Sequence, residues 1–577
     1  MDGVHLHEAI YQPETLILTI LLHSFSVHVP RIQCHSHCIV NSVLEKNFLS
    51  LNTFKMHTAH CFKICVFVFT FLITPRHVEN AKILFLIPMS TRSEKHFFEP
   101  LILKLASNGH NMTVVTNSPD VLHHENVKEI VPISVEEIYG NVGDIGNVQD
   151  LGWDLIFLDM KAYMGPVDKI YTHPDFQPVL NEKYDLIMTN MFFGQAFFGL
   201  IYKNQAPFIL LHTMALSNYF LKDWGVYFPS SHIPVPLLDF TDRMGFSQRL
   251  ANFVVDWAVY FHVEMTHIPL YEKAYRKHLG QDIPSVKEIQ KNASLMMINT
   301  HYLTTYHRPL MPDVIEIGCL HCKNPKPLPQ DLEQLLGTAA APHGFIFISF
   351  GTVLKGSTLP ESIRNKFLHV FSRLKQKVLW KWESEDMANL PSNVILRKWL
   401  PQQDILGHSN LRLFISHGGL LSTQQTIYHG VPVIMFPLFF DQMANARGAE
   451  QQGVGLNMNI WNFTETELEH GINKILHETK FKTKAQLLSK VSKDQMNSPL
   501  ERAVYWTEHV LKYNGAPHLR SAARELNFIQ FHSIDVIGFL AGFLIIAALI
   551  VVSAVKVVIK YFTVAKDHKD HAKQKKH

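Results

Sequence analysis

Residues 399–446 read WLPQQDILGHSNLRLFISHGGLLSTQQTIYHGVPVIMFPLFFDQMANA, and two runs within them have the composition of buried strands. The runs LRLFIS (411–416) and VPVIMFP (431–437) are rich in aliphatic and β-branched residues, and a predicted helix that begins at Ser422 separates them. A strand, a helix and a second strand in this order form the repeating unit of a parallel sheet. This part of the chain therefore predicts an α/β fold.

The same alternation continues on both sides of residues 399–446. A first set of predicted strands, with a helix over 97–106 that ends at Asn108-Gly109, comprises KILFLIP (82–88), MTVVT (112–116), DLIMT (185–189) and PFILL (207–211). A second set, with a helix near 361–374, comprises FIFISFG (345–351), VLWKW (378–382) and VILRKW (394–399). Three prolines in KNPKPLP (323–329) predict a linker between the two sets. We therefore expect two doubly wound domains, 78–322 and 331–530, joined by residues 323–330.

A membrane span is predicted near the carboxyl terminus. Residues 536–555, VIGFLAGFLIIAALIVVSAV, carry no charge and are long enough, at 1.5 Å per residue, to cross a hydrocarbon core of about 30 Å. Seven Lys residues follow in 556–577, and such an excess favours the cytosolic side. We therefore expect a single-pass type I membrane protein with a lumenal body and a cytosolic basic tail. Lys573 and Lys575 resemble a dilysine retrieval signal of the endoplasmic reticulum.

The amino-terminal region contains a second apolar run, ICVFVFTFLI (64–73), with Lys63 before it. Its length suits a signal peptide better than a membrane span, so we interpret residues 56–77 as a signal peptide that begins at Met56. Residues 1–55 are then a spurious or unstructured extension, and a signal anchor behind a cytosolic extension is the weaker alternative. The long aromatic segment 237–280 has helical spacing, and we interpret it as core rather than as a surface that touches a membrane.

The cysteine content and the charge argue against a zinc site and against nucleic-acid binding. Only Cys319 and Cys322 lie beyond the signal peptide, and a lone CxxC without a second ligand pair does not make a zinc site. We interpret the pair as a linker feature that is able to form a disulfide. The formal net charge is +3 and the tail contributes +5 of it, so the rest is slightly acidic and offers no footprint for nucleic acid. Three sequons are candidate glycosylation sites, Asn111, Asn292 and Asn462.

A candidate anion site follows the predicted strand 411–416. The loop His417-Gly418-Gly419 leads into a helix that Ser422 is expected to cap, and its glycines let backbone N–H groups approach a ligand closely. A helix amino terminus also presents free N–H groups and a positive dipole to a phosphate. Other polar residues follow neighbouring predicted strands and are expected at the same sheet edge, namely Gly351, Thr352, Trp399, Gln402, Asp441 and Gln442.

With these motifs in place, the stretch 399–446 resembles the signature of the UDP-glycosyltransferases, specifically the membrane-anchored animal type common in insects. The resemblance extends from about residue 81 to the carboxyl terminus. It implies two Rossmann-like domains of the GT-B type, with an amino-terminal acceptor-binding domain and a carboxyl-terminal UDP-sugar-binding domain. It also implies a UDP-sugar as donor, a small lipophilic acceptor, and a chemistry without metal or cofactor.

The resemblance assigns expected roles to individual residues of the donor site. Trp399 stacks on the uracil and Gln402 helps to hold the base. The diphosphate meets His417 and the backbone amides after it, together with residues of the same loops, namely Gly351, Thr352, Gly418, Gly419 and Ser422. Asp441 and Gln442 bind sugar hydroxyls, and Gln425 stands where the family usually has a Glu that accepts from the ribose.

Two positions depart from the family pattern. The usual catalytic His after the first strand is replaced by Glu94, and the Asp that usually supports it is replaced by Asn190. In one interpretation the pair is rewired, so that Glu94 is the base and the Asn190 amide orients it, or His96 takes its place. We then expect the Glu94 carboxylate within reach of the Asn190 amide. In the other interpretation the chain is an attenuated or inactive UDP-sugar-binding lumenal protein.

We therefore expect an inverting transfer of a hexose, with glucose as the sugar usual among insect relatives, to a lipophilic acceptor in the lumen of the endoplasmic reticulum. A nicotinamide oxidoreductase lacks support because no GxGxxG follows a predicted strand. A metal-dependent transferase lacks support because no DxD carboxylate pair lies in a suitable loop. The sequence leaves open whether the protein forms a homo-oligomer.

Overall fold

The computed structural model of the chain describes residues 80–574, except for 119–121, 140–143, 146–158, 215–217, 339–341, 353–354 and 385. The described residues fall within one compact unit, Arg76–His577. The expected extension 1–55, the expected signal peptide 56–77 and the last three residues of the tail lie outside the described residues.

The first half of the chain forms a seven-stranded parallel sheet. Its strands are β1 Lys82–Leu86, β2 Asn111–Val115, β3 Val127–Ile130, β4 Leu186–Asn190, β5 Phe208–His212, β6 Leu295–Ile298 and β7 Val314–Glu316. Their spatial order is β3-β2-β1-β4-β5-β6-β7, so the order reverses between β1 and β4.

The second half forms a six-stranded parallel sheet. Its strands are β8 Phe345–Ser349, β9 Lys377–Lys381, β10 Val394–Arg397, β11 Leu411–Ser416, β12 Val433–Met435 and β13 Gly455–Asn457. The order is β10-β9-β8-β11-β12-β13, with the reversal between β8 and β11. The prediction of two Rossmann-like α/β sheets is confirmed.

Helices cover the sheets. Those of ten residues or more in the described part are α1 Arg92–Ser107, α2 Phe246–His262, α3 Ile268–Leu279, α4 Glu361–Ser372, α5 Leu420–His429, α6 Gln442–Gln451, α7 Glu465–His477, α8 Thr479–Lys493, α9 Pro499–Lys512 and α10 Ile534–Gln574. A π-helical turn, Val263–His267, joins α2 to α3. The central strands β4, β5, β6, β8 and β12 are buried along their whole length, since helices pack on both faces of each sheet.

Helix α1 starts five residues earlier than the predicted 97–106. The Thr91 hydroxyl accepts a hydrogen bond from the backbone N–H of Glu94 at 3.2 Å and so caps the helix at Arg92. Glu94 therefore lies in the first turn of α1 rather than in a loop, where a negative charge also suits the helix dipole. The Thr-x-x-Glu spacing at residues 91–94 is the signal that marks this start.

The predicted domain boundary at residue 530 is wrong for α9, the last long helix before α10. Ala503, Val504 and Val510 of α9 belong to the core beneath the first sheet, beside Phe97 and Leu101 of α1. The chain therefore crosses back to the amino-terminal domain after α8. The pattern of α9 shows that it has an apolar face but does not show which domain covers that face.

The predicted linker, residues 323–330, is hydrogen-bonded to the second domain. The Lys323 N–H donates to the Gln403 side chain at 2.9 Å, and the Lys326 N–H donates to Asp404 at 2.8 Å. Just ahead of it, Cys319 and Cys322 form a disulfide. The hinge segment is thus fastened to the second domain.

Helix α10 contains the predicted span 536–555. Its segment Ile534–Lys566 is long and apolar enough to cross a membrane, and its most apolar 18 residues are not buried by any of the residues that the structure describes. The helix continues past the span into the basic tail as far as Gln574.

Candidate functional site

One cleft of about 860 Å³ lies at the carboxyl ends of both sheets. Gly351 and His417 follow β8 and β11, the pair of strands at which the order of the second sheet reverses. Glu94 and Asn190 follow or end β1 and β4, the corresponding pair in the first sheet. Ligands of open α/β sheets bind at such reversal points. The two halves of the predicted site therefore face one common space.

The His417 ring lies between two glycines. A Cβ atom at Gly351, whose φ is +87°, would come within 2.7 Å of His417 Cε1, and one at Gly419 within 2.6 Å of Nε2. Burial, together with the charge of nearby Lys381, lowers the pKa of His417 to about 4. The imidazole is therefore neutral at pH 7, and it can offer an N–H to an anion without carrying a positive charge.

Helix α5 aims its amino terminus at the cleft. Its first intrahelical hydrogen bond runs from Thr423 N to Gly419 O at 2.9 Å, so the N–H groups of Leu420, Leu421 and Ser422 precede it. The predicted cap is wrong, because the cap position is Gly419 and Ser422 is the third residue of the helix. Gly418 adopts the left-handed conformation that this turn requires, with φ at +81°, but it does not line the cleft.

Gln402, Ser422 and Gln425 form a hydrogen-bonded cluster. The Gln402 amide donates to the Ser422 hydroxyl at 3.0 Å and to the Gln425 side-chain oxygen at 2.7 Å. Gln425 is buried. An acceptor at residue 425 is thus oriented by Gln402, and all three side chains line the cleft.

Trp399 is 66% exposed and lies at the mouth of the cleft. It follows β10, which ends at Arg397, so it is not part of the predicted strand 394–399. A core role is excluded by this exposure. A large flat ring held at a cleft rim is suited to stacking on a planar ligand.

Asp441 and Gln442 begin helix α6 beside the same space. The Gln442 side-chain oxygen accepts the N–H groups of Leu438 and Phe439 at 2.9 and 3.3 Å, so its NH₂ group is the one that can donate to a ligand. Phe440 has φ at +52°, a left-handed conformation that a residue with a side chain rarely adopts. The tight turn so formed turns the carboxylate and the amide toward the cleft.

Lys381 is a residue that the sequence analysis missed. It ends β9, lines the cleft, and donates to the Gly351 carbonyl at 2.9 Å while it pairs with Glu383 at 2.8 Å. Its ammonium adds positive charge beside the glycine loop. Lys381 lies near the carboxyl end of the predicted strand 378–382, where ligands of parallel sheets bind, and this position could have identified it from the sequence. Exposed Thr352 lies on the neighbouring loop.

The Glu94 carboxylate meets the Asn190 amide, with Nδ2 and Oε1 3.3 Å apart. The expected proximity is therefore present. Burial raises the pKa of Glu94 above its usual range, while hydrogen bonds from Asn190 and Thr213 partly oppose this shift. Thr213, which follows β5, was not anticipated.

His96 lines the cleft but does not join this pair. Two residues along a helix correspond to about 200° of rotation, so His96 points away from the Glu94 side of α1. Its ring contacts Glu99 at 3.1 Å and stays half exposed.

The amino-terminal side of the cleft is mostly apolar and aromatic. Its wall includes side chains that no motif marked, among them Phe192, Phe193, Tyr219, Val259 and Val263. Because they come from three separate segments, around residues 192–193, 219 and 259–263, only the tertiary fold could bring them together. The wall suits a flat hydrophobic molecule.

Comparison with protein families gives a match over residues 180–569 to the model described as UDP-glucoronosyl and UDP-glucosyl transferase. The chain is 32% identical over 498 residues to UDP-glycosyltransferase UGT5 of Dactylopius coccus, covering 83% of this chain and 92% of that protein. It is 33% identical over 470 residues to UDP-glucosyltransferase 2 of the same insect, covering 80% and 90%. It is 35% identical over 337 residues to UDP-glucuronosyltransferase 2A3 of Mus musculus, covering 58% and 62%.

Solved structures agree on the fold. A Phytolacca americana UGT2 complexed with UDP-2fluoro-glucose and pterostilbene superposes with a TM-score of 0.50 at 16% identity, covering 75% of this chain and 99% of that one. The spinosyn forosaminyltransferase SpnP gives 0.50 at 17% identity, covering 75% and 100%. At such low identity the likeness concerns the two-sheet GT-B architecture alone.

Proposed function

The chain belongs to the family of UDP-glucoronosyl and UDP-glucosyl transferases, and from this premise we propose that it transfers glucose from UDP-glucose to a hydroxyl of a small lipophilic acceptor, with inversion at the sugar carbon. The observation that carries the proposal is the Glu94–Asn190 contact, which faces the same cleft as His417 and Asp441. A candidate base and a candidate donor site thus line the same cleft.

We assign the donor to the second domain. The uracil would stack on Trp399, with Gln402 beside it. The diphosphate would meet the first N–H groups of α5 and the neutral His417, with the Lys381 charge nearby. Asp441 would accept from sugar hydroxyls and Gln442 would donate to a sugar oxygen. The arrangement uses no metal or cofactor in this proposal.

The transfer step is a single displacement. The acceptor oxygen forms a bond to the anomeric carbon, the bond from that carbon to the diphosphate oxygen breaks, and the acceptor proton moves to the Glu94 carboxylate. A raised pKa makes Glu94 a stronger base than an ordinary carboxylate. Asn190 acts as a positioning residue, since its amide holds one carboxylate oxygen.

We assign the protein to the membrane of the endoplasmic reticulum, with α10 as a single span and both sheets in the lumen. The three sequon residues, Asn111, Asn292 and Asn462, are all exposed, as glycosylation requires. A shift in gel mobility after glycosidase treatment of the full chain, absent in a variant with all three changed to Gln, would test this orientation.

The decisive experiment measures transfer from labelled UDP-glucose to a panel of phenols by the full chain in microsomes. We expect Glu94→Gln to lose activity by about 10²-fold or more, the usual contribution of a general base. UDP binding should remain, because residue 94 belongs to the other domain. Asn190→Ala should lower kcat less than Glu94→Gln does.

Three controls sharpen the result. The double variant Glu94→His with Asn190→Asp tests whether the site is a degenerate form of the usual pair, since it would then restore or raise turnover. His96→Ala should leave turnover near that of the unchanged chain. Unchanged activity in Glu94→Gln would remove Glu94 as the base, and UDP binding without turnover of any phenol would favour a binding protein.

A further inference from the structure

The outer face of α2 carries apolar side chains in contact with solvent. At 100° per residue, six of its side chains fall within an arc of about 100°, namely Phe246, Leu250, Phe253, Val254, Trp257 and Phe261. All of them except the partly buried Trp257 are more than half exposed. A continuous stripe of this size and composition is unusual on a water-facing helix.

The inner face of the same helix is polar at its centre. Asn252 is fully buried, accepts from Val235 N at 2.7 Å and donates to the carbonyls of Ser230 and Ile233 at 2.7 and 2.9 Å. Asp256, one turn later, is also buried. A surface helix in water normally turns its apolar stripe inward and its polar side chains outward. Helix α2 has the opposite arrangement, so its outer face is suited to an apolar environment.

The exposed stripe is continuous with the start of the membrane helix. Phe528, six residues before α10, packs edge-on against Trp257 with ring centroids 5.4 Å apart. Phe528 and Ile529 are themselves about half exposed. Arg524 fastens this part of the chain to the first domain through Asp313, at 2.5 Å. The segment that leads into α10 therefore leaves the body at the outer face of α2.

Charge on this helix also fits a lipid surface. From Phe246 to His262 the only acidic residue is Asp256, which lies on the inner side, and the exposed charged residue is Arg249. Aromatic side chains are favoured at the boundary between lipid headgroups and acyl chains. A basic residue on the rim is compatible with anionic lipid.

We propose that the outer face of α2 lies in the interfacial layer of the same bilayer that α10 crosses, so that lipid is its partner. The proposal rests on the membrane anchoring stated under the proposed function. Its consequence concerns the acceptor. Val259 and Val263, on the inner side of this helical segment, line the cleft, so one helix separates the acceptor wall from the lipid. A lipophilic acceptor can then reach the cleft from the bilayer.

The first test locates single positions relative to lipid. The full chain, with the four cysteines ahead of residue 66 changed to serine, is labelled with an environment-sensitive fluorophore at Leu250→Cys, Leu487→Cys or Ile545→Cys. Leu487 on α8 is as exposed as the stripe and serves as the control. Each protein is reconstituted in vesicles of phosphatidylcholine with some phosphatidylserine, with or without nitroxide-labelled lipid.

We expect nitroxide lipid to quench the labels at residues 250 and 545 and to leave the label at 487 unchanged. Equal, weak quenching at 250 and 487, with strong quenching at 545, would overturn this inference while the anchor stands. Weak quenching at 545 would instead remove the anchor and this inference with it. A signal at 250 that follows the protein-to-lipid ratio but not the nitroxide would identify a second copy as partner and overturn the proposal.

The second test measures acceptor delivery. A variant with Leu250, Phe253 and Phe261 changed to Ser is compared with one that has Leu487, Tyr505 and Tyr513 changed to Ser, since these residues are similarly exposed. We expect the first variant alone to raise the KM for a phenol that partitions into vesicles several-fold, with the KM for UDP-glucose and for a water-soluble phenol unchanged. Identical kinetics of the two variants would contradict delivery through lipid.

Discussion

The Glu94 carboxylate is partly buried and accepts hydrogen bonds from Asn190 and Thr213, and its pKa depends on both. Its folded-state pKa lies above the ordinary value of 4.5 because burial penalises the charged carboxylate more than Asn190 and Thr213 stabilise it. The stability that Glu94 contributes is therefore present below about its unfolded pKa and is lost as the pH rises through the folded pKa. Side chains whose pKa is shifted by burial, at a cost to the stability of the fold, are common at catalytic positions.

The raised pKa of Glu94 predicts how activity and stability depend on pH. In the unchanged protein, kcat/KM should fall as the pH drops through the raised pKa of Glu94, because only the carboxylate accepts a proton. Glu94→Gln should be more stable to heat than the unchanged chain at pH 7 and equally stable below pH 4.5. Thermal unfolding followed by circular dichroism checks this. If Glu94→Gln is instead less stable than the unchanged chain at pH 7, the hydrogen bonds to the Glu94 carboxylate stabilise its charge more than burial penalises it.

Trp399 gives a prediction for donor binding. Trp399→Ala should weaken UDP binding by about 5- to 150-fold, since stacking of a base on an aromatic ring contributes about 1–3 kcal/mol. Its melting temperature should stay unchanged, because the side chain is 66% exposed. Calorimetric titration with UDP measures the first effect, and Trp399→Phe should retain most of the affinity. Equal affinity in the Ala variant would remove the stacking role.

Gln425 gives a prediction in the opposite direction. Gln425→Glu should tighten binding of the donor, by about 1 kcal/mol, because a charged acceptor makes stronger hydrogen bonds with ribose hydroxyls and with the Gln402 amide. Titration with UDP and with uracil, which lacks the ribose, separates the two contacts. Tighter binding of uracil alone would assign the gain to the Gln402 contact rather than to the ribose.

At the scale of elements, the site depends on how two strands of the second sheet end. Strands β8 and β11 pair in parallel, with Ser349 opposite Ser416. Their following loops are therefore adjacent, and the His417 ring fills the space that glycines at 351 and 419 leave open. Strand pairing thus fixes where the ring lies, and the glycines permit it to lie there.

Gly351→Ala tests this arrangement. The added methyl group would meet the His417 ring at 2.7 Å in a backbone conformation with φ at +87°, so we expect a loss of stability of about 1–3 kcal/mol and weaker UDP binding. Gly448→Ala is the matched control, because nothing lies within 4 Å of its Cβ position in helix α6. The control should be neutral or more stable by up to about 1 kcal/mol. Urea unfolding of both variants measures the difference.

At the scale of the whole molecule, the chain returns to the first domain before the apolar helix α10 begins. Helix α9 covers the first sheet's core, and Arg524 forms a buried pair with Asp313 while its guanidinium stacks 3.7 Å from the Trp224 ring centre. The Gln424 amide also donates to Asn299 across the two domains at 2.8 Å. Helix α10 is thus attached to the first domain rather than to the second domain, which precedes it in sequence.

Arg524→Ala should destabilise the protein by about 3–5 kcal/mol, because it leaves the buried Asp313 carboxylate without its partner. Arg373→Ala is the control, since the Arg373 pairs with Glu465 and Glu469 are exposed and surface pairs contribute about 0–1 kcal/mol. Thermal unfolding of the full chain in detergent compares them. Similar melting temperatures would show that Arg524 does not hold this segment.

Sequence alone determined the features that depend on local pattern. The β-branched runs predicted the two parallel sheets, and the uncharged twenty-residue run predicted the helix that can span a membrane. The compact motif from Trp399 to Gln442 supplied most of the candidate donor residues that line the cleft. These signals are local because burial of a strand or a helix in protein or lipid imposes a composition on consecutive residues.

Only the tertiary structure decided the features that depend on which distant segment comes near. It placed Lys381 and Thr213 at the site, raised the pKa of Glu94 by burial, and returned α9 to the first domain. It also turned the apolar stripe of α2 outward, where the sequence analysis expected core. A periodic pattern shows that a helix has an apolar face, but the direction of that face is set by long-range packing, which a local pattern does not contain.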